Sequence, residues 1–292
     1  MVLFLKLGGA LITDKHTPHS ARMEVLAALC RELAAWPGLG LHRLVLAHGS
    51  GSFAHTAVQA TGFQDHPGDA MAMATVAAAA RRLNGLVMDE LLAAGVPAVA
   101  VPGAVLAVCR NGAVVRVRSD IVRSLWQAGV LPVLYGDAAP DEVTGGAIAS
   151  TEPLLVALAA DLRPKRIVLA TDVDGVYAFD PSADSKAESS DPSADPLVHT
   201  RAATGPHTRP IPVFTPDELP SLPALLGPRA GVVDVTGGMA SKVRWMTELV
   251  AAQSGLEVRI VSGLRPGAVS AALDGRLDAG GTLIRRARGH DG

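Results

Sequence analysis

Short apolar runs that end in glycine, each followed by an alanine-rich amphipathic stretch, recur from one end of this chain to the other. That alternation restricts the fold more than any other feature. Val2–Leu7 stops at Gly8–Gly9, and Arg22–Trp36 reads as a helix ended by Pro37–Gly38. Leu44–Ala47 is a second strand, broken by HGSGSF, and Ala70–Ala94 is a long helix closed by Gly95. Ala98–Val101 is a further strand, and Asn111–Gly112 between VLAVCR and AVVRVRS is the favoured turn of a β-hairpin. A helix at Ile121–Gln127 leads to a strand at Leu131–Tyr135, ending in Gly136–Asp137. The second half repeats the pattern: helix Leu154–Ala160, strand Arg166–Ala170, then TDVDGVY. Strands at Val232–Val235, Val258–Val261 and Thr282–Ile284 and helices at Ala240–Ala252 and Gly267–Leu273 complete it. Strands alternating with helices predict an α/β fold, a three-layer αβα sandwich around a mostly parallel open sheet, with an inserted β-hairpin. We place a lobe boundary near residue 165, giving 1–165 and 166–292 on one continuous sheet. Residues 180–210 turn Pro/Ser/Asp-rich, with DPSAD occurring twice, and read as a mobile insertion.

Composition narrows the function classes. With 26 Lys plus Arg against 28 Asp plus Glu, the chain carries no basic surplus for nucleic acid or an anionic membrane. The uncharged stretch Leu91–Cys109 is long enough to raise the question of a membrane span. Gly95, Pro97, Pro102 and Gly103 break it, and the N-terminal apolar run lacks a basic leader and a cleavage site. Two cysteines, Cys30 and Cys109, form no disulfide framework or zinc spacing, which points to a reducing cytoplasm.

Three glycine turns follow strands: Lys6-Leu-Gly8-Gly9, His48-Gly49-Ser50-Gly51-Ser52, and Thr236-Gly237-Gly238-Met239 before a helix. Glycine lets backbone N–H groups converge on an anion, and in open α/β sheets ligands bind where strands end. Lys6, Lys15 and Lys242 fall in or beside these turns, where an ammonium can neutralise a phosphoryl oxygen. Lys6 interrupts an apolar strand, so solvated surface charge accounts for it poorly; for Lys15 the surface and phosphate readings are both open. No GxxxxGK followed by Ser or Thr is present, and HGSGSFAH lacks the third glycine of a dinucleotide fingerprint. His48, ending a strand, reads as structural; His16, His19, His42, His66, His199, His207 and His290 read as solvated.

LKLGGALIT with Lys15, HGSGSFAH, Gly136–Asp137, TDVDGVY and DVTGGMASK, in this order, resemble the signatures of the amino acid kinase superfamily over almost the whole chain. Within it the chain is most similar to the isopentenyl phosphate kinase branch, whose second loop reads HGGGSFGH and ends in the histidine that is His55 here. The resemblance implies an acceptor lobe followed by a nucleotide lobe, ATP and Mg²⁺, no dedicated protein metal site, and a homodimer. It implies that Lys6, Gly8 and Gly9 hold the transferring phosphates, that Lys15 stabilises the transition state, and that Gly49, Ser50 and Gly51 supply amides between the substrates. His55 and Gly136 would meet the acceptor phosphate. Thr171, Asp172, Asp174, Gly175 and Tyr177 would bound the nucleotide, with Gly237, Gly238 and Lys242 along its phosphates. The chain departs from the branch at Ser50 and Ala54, both glycine there, and at S-T-E-P (150–153), where the branch has S-G-D-D. Glu152 therefore replaces, with a longer reach, the aspartate that orients the catalytic lysines.

The implied reaction is phosphorylation of an alkyl phosphate to its diphosphate, with small-molecule partners only. Met71, Met73, Val76, Leu83, Val87 and Met88 of the long helix are candidates for an apolar acceptor surface. Two rivals remain: a fosfomycin-type phosphonate kinase of the same superfamily, and a nucleotide-binding sensor or storage protein without turnover, which the change at Glu152 favours.

Overall fold

The computed structural model describes residues 1–177, 210–222 and 238–287. The strand expected at Val232–Val235, Gly237, His199, His207, His290 and nearly all of the 180–210 insertion lie outside the described residues.

Eight strands make one sheet: β1 (Val2–Leu7), β2 (Arg43–His48), β3 (Ala98–Pro102), β6 (Leu131–Tyr135), β9 (Arg166–Thr171), β10 (Val213–Phe214), β11 (Glu257–Ser262) and β12 (Thr282–Ile284). Their order is β10-β12-β11-β9-β1-β2-β6-β3, so β1 lies at the centre beside β2 and β9. All pairings are parallel except β11 with β12. Side chains alternate across a strand: Leu3, Leu5 and Leu7 pack with helices α2 (Met23–Ala35) and α4 (Ala70–Ala93) and with helix Ala268–Asp274. Phe4 points the other way, into a core shared with α6 (Ser119–Gln127), α7 (Thr151–Leu162) and helix Gly238–Ala252. Lys6 has the parity of Phe4, which sends it towards α7. The three-layer sandwich is thus as expected.

The inserted element is larger than a hairpin. Strands β4 (Ala107–Arg110) and β5 (Ala113–Val117), joined by Asn111–Gly112 with positive φ at both residues, combine with β7 (Asp137–Asp141) and β8 (Gly145–Ala149) in the order β5-β4-β7-β8. The sequences DAAPD and GGAIA carry little of the β-branched alternation that marks strands, which hid β7 and β8. A second correction concerns HGSGSF, read as a loop. Helix α3 (Gly51–Thr61) begins inside it and is held by Ser52, Phe53, Ala57 and Val58, which are buried. The uncharged stretch 91–109 divides among the end of α4, β3, the turn Gly103–Leu106 and β4. Among the described residues no helix is long and apolar enough to cross a membrane.

Candidate active site

At the carboxyl ends of β1, β2, β6 and β9 the chain turns away from the sheet around a cavity of about 800 Å³. The first two glycine turns interlock there. A Cβ on Gly9 would come 2.6 Å from Gly51 N, and one on Gly51 (φ +47°) would come 2.1 Å from Thr13 Oγ1. Thr13, which the sequence reading passed over, joins the turns: its hydroxyl donates to Gly9 O (2.8 Å) and accepts from Ser52 N (3.1 Å). The Ser50 hydroxyl donates to Gly136 O (2.7 Å), and that of Thr151 to His48 O (2.9 Å), so loops from three strands are stitched together. Helices α3, α7 and Gly238–Ala252 all begin at this cavity, turning the positive ends of their dipoles towards it.

Lys6, 4% exposed, reaches the first turn of α7 and is ion-paired with Glu152 Oε1. The same oxygen lies 4.0 Å from Lys242 Nζ, on the neighbouring helix. Burial lowers the Lys6 ammonium from its ordinary value, with Glu152 opposing and Lys242 adding to the effect. Burial would push the Glu152 carboxyl up, but Lys6 and Lys242 hold it below the usual carboxylate range. Two cations and one anion leave a net positive floor, in a medium where charge is weakly screened.

At the rim Lys15 Nζ meets Asp172 Oδ2 at 3.0 Å, across the cleft from β1 to β9. His55 stands on α3, one turn beyond Gly51, and lines the cavity with Val58, Phe63, Val76 and Ile148. Asp137 also lines it. Its carboxyl is driven up to about 6 by burial, against N–H donation from Ala104 and Ala138. His48 lies beneath the wall, its ring nitrogens 3.1 Å from Gly49 O and from Asn84 Oδ1, and burial lowers its pKa; it is a structural histidine.

Lys6, Gly8, Gly9, Lys15, Gly49, Ser50, Gly51, His55, Gly136, Glu152, Thr171, Asp172, Gly238 and Lys242 all border this one cavity. Asp174, Gly175 and Tyr177 stand outside its wall. The Tyr177 hydroxyl bonds to Asp174, and the loop is pinned to β12 by Val176 N donating to Thr282 Oγ1 (2.8 Å). The apolar acceptor surface needs correction too. Of the six α4 residues only Val76 lines the cavity; Leu83 and Val87 are buried under the sheet, Met88 packs against that core, and Met71 is exposed. A 24-residue helix runs about 36 Å, well past a chamber that meets only its first turns. Val58, Phe63 and Ile148 supply the apolar wall instead, from α3, the turn that follows it and β8, elements absent from the sequence-based expectation.

A cleft at the strand ends of a parallel sheet, floored by paired lysines and lined by glycine turns, defines a phosphate-binding α/β protein. The chain belongs to the amino acid kinase family, whose sequence model matches residues 1–191. It is similar to an isopentenyl phosphate kinase of Methanothermobacter thermautotrophicus, with 29% identity over 294 residues, covering 97% of this chain and 98% of that one. An acetylglutamate kinase of Rubrobacter xylanophilus is 30% identical over 215 residues, 70% of this chain and 68% of the relative. Among solved structures, one of an isopentenyl phosphate kinase superposes with a TM-score of 0.74 at 26% identity, covering 97% of this chain and all of the other.

Proposed function

We propose that this chain is an ATP-dependent isopentenyl phosphate kinase, making the diphosphate that feeds isoprenoid synthesis. The observation that carries the reading is His55 in the wall of a chamber that continues into Val58, Phe63, Val76 and Ile148: a cationic or hydrogen-bonding group for a phosphate, then apolar surface for a short hydrocarbon tail. A full-length similarity to isopentenyl phosphate kinases supports it.

In this reading an oxygen of the acceptor phosphate attacks the γ-phosphorus of ATP. The new O–P bond forms as the bond to the β-phosphate oxygen breaks and ADP leaves. A monoester has a second pKa of about 6, so the nucleophile is already ionised near neutrality and no general base is needed. The chain's work is positioning and charge neutralisation. Lys6 and Lys242, held by Glu152, meet the transferring phosphoryl group from below, and Lys15 meets it from the rim. Gly9, Ser50 and Gly51 offer amides between the substrates, and His55 with Gly136 holds the acceptor phosphate. The amide role expected of Gly49 needs correction, because Gly49 N donates to Leu7 O (3.0 Å), as Gly8 N does to Ala170 O (2.8 Å), so these two serve by close approach of the backbone. Thr171, Asp172 and Gly238 flank the nucleotide; Gly237, Asp174, Gly175 and Tyr177 keep nucleotide roles in the proposal by resemblance alone.

Among the described residues no three His, Cys, Asp or Glu side chains converge as a metal site. Of the cavity-wall carboxylates, Glu152 and Asp172 are ion-paired and Asp137 accepts backbone N–H groups. These residues do not make a Mg²⁺ cage, and we assign the ion to the nucleotide substrate, carried on phosphate oxygens and water. Division into an acceptor lobe (1–165) and a nucleotide lobe (166–292), a homodimer and a cytoplasmic location belong to the same proposal.

The test is ADP release with isopentenyl phosphate, dimethylallyl phosphate, fosfomycin and acetylglutamate as acceptors. Isopentenyl phosphate should be phosphorylated and acetylglutamate should not. Equal turnover with acetylglutamate, or preference for fosfomycin, would overturn the assignment; ATP binding without turnover of any acceptor would leave a nucleotide-binding protein.

A further inference from the structure

We propose that Asp141 is a positioning residue for the acceptor, tying two β-turns into one rigid panel of the chamber wall. The proposal rests on reading this end of the cleft as the acceptor end. Asn111, Gly112, Thr144 and Gly146 line the cavity, and they come from two hairpins far apart in sequence. Backbone pairing between these hairpins is thin where they meet: Cys109 faces Asp141, and Glu142 N donates to Cys109 O (2.9 Å). Asp141 lies behind the panel, 6% exposed. Its Oδ1 accepts from Asn111 N (3.1 Å), Val143 N (2.9 Å) and Thr144 N (2.9 Å), and its Oδ2 accepts from Gly112 N (2.8 Å). One buried carboxylate therefore satisfies amides of both turns, and turn amides have no partner in a strand ladder. Bonds from N–H groups to an ionised acceptor are the stronger kind, and they fix direction as well as distance.

A wall held this way should be stiff in the free protein, so that binding the acceptor tail orders little. Without the carboxylate each hairpin tip moves separately, and the ordering falls on the acceptor-binding step. The phosphate-binding floor does not share the effect, because none of its residues contacts Asp141 in this bonding pattern.

The experiment is steady-state kinetics on the whole chain, with isopentenyl phosphate and ATP varied separately, for Asp141→Ala and Asp141→Asn. KM for isopentenyl phosphate should rise about tenfold in Asp141→Ala, while kcat and KM for ATP stay within about twofold. Asp141→Asn should rise less, since its carbonyl can keep the three bonds of Oδ1, to both turns, while its NH₂ is set against Gly112 N–H. Hydrogen exchange should quicken at Asn111, Gly112, Val143 and Thr144 and stay unchanged in β1 and β2. Glu142→Ala removes the Arg110–Glu142 pair (Nε to Oε2 2.8 Å), which also joins the two hairpins but is exposed and screened, and it should change none of these. An unmoved acceptor KM in a variant whose turn amides exchange faster would overturn the proposal, as would equal losses in both KM values and kcat. Should Asp141→Ala fail to fold, Asp141→Asn carries the same test. Absence of isopentenyl phosphate turnover in the unaltered chain would remove the functional reading and this proposal with it; normal turnover with an unmoved acceptor KM removes this proposal alone.

Discussion

The cleft holds two lysine–carboxylate pairs, one at its floor and one at its rim. At the floor, Lys6 and Glu152 have side chains only 5% and 12% exposed, with Lys242 4.0 Å from the shared oxygen. At the rim, the side chains of Lys15 and Asp172 are 57% and 31% exposed. Removing one partner of a buried pair leaves an uncompensated charge in a poor solvent, whereas water and salt take over for an exposed partner. In the proposed reaction the floor therefore joins the fold to the chemistry, and losing Glu152 should disturb both. In the same proposal the rim separates them, and Asp172 should matter for where it holds Lys15 rather than for stability.

The largest expected effect follows at the floor. Glu152→Gln leaves two ammonium groups facing each other, and should cost about 3–5 kcal/mol of stability in urea unfolding. kcat/KM should fall at least about 100-fold as the lysines lose their alignment. A stability loss below about 1 kcal/mol would mean that the floor is screened like the rim, and the contrast between them would fail.

His55→Ala is next. Loss of a charge-assisted hydrogen bond to the acceptor phosphate, roughly 1.5–3 kcal/mol, should lower kcat/KM for isopentenyl phosphate about 10- to 100-fold. ATP affinity by calorimetry should hold, because the nucleotide meets other residues of the cleft. Weaker binding of both ligands together with a lower melting temperature would make His55 a structural part of α3. Wild-type kcat/KM in a stable variant would exclude it from recognition.

Asp137 adds a third environment, a buried carboxylate in the wall with backbone N–H donors and, among the described residues, no ion pair, Arg81 acting on it from a distance. Its pKa rises from 3.8 to about 6 on folding, chiefly through burial. Between those values the folded state holds a proton that the unfolded chain has released, so stability falls as pH rises through the window. Asp137→Asn should then stabilise the protein at pH 7.5, by at most about 3 kcal/mol, and change little near pH 4. Equal melting temperatures for the two proteins at both pH values would show that the carboxylate is already solvated.

Much of this contrast was written in the sequence, because charge in an apolar strand is rare and costly: Lys6 announced a buried partner site, and glycine turns after strands announced where it lay. The alternation of strands and helices gave the sheet. Three things were hidden. Helix α3 opens with Gly51-Ser52-Phe53, a stretch that reads as loop until Phe53, Ala57 and Val58 find a core to enter. Strands β7 and β8 are built of small residues whose burial is decided by neighbours far along the chain. The roles of Thr13, Thr151 and Asp141 depend on hydrogen bonds across long sequence separations, to Ser52 N, His48 O and Asn111 N, which no local pattern encodes.

The smallest expected effect belongs to the rim and bears most directly on the comparison. Asp172→Asn keeps the size of the side chain and removes its charge. An exposed pair at 3.0 Å is worth little, so stability should change by less than about 0.5 kcal/mol. Binding is where the change should show. In the proposed site Asp172 would compete with the nucleotide phosphates for Lys15 and repel them, so the variant should bind ATP about two- to threefold more tightly at low salt. Lys15, no longer held across the cleft, should lose part of its alignment in the transition state, and kcat should fall by a similarly small factor. Raising the ionic strength to about 0.5 M shortens the screening length to roughly 4 Å and should bring the two ATP affinities together. Glu152→Gln should keep most of its deficit under the same salt, because its loss misaligns side chains that are largely buried rather than removing a screened surface charge. A salt-insensitive difference at Asp172, or a destabilisation comparable to that of Glu152→Gln, would mean that the rim pair is desolvated in solution and that the two lysine sites are one continuous network.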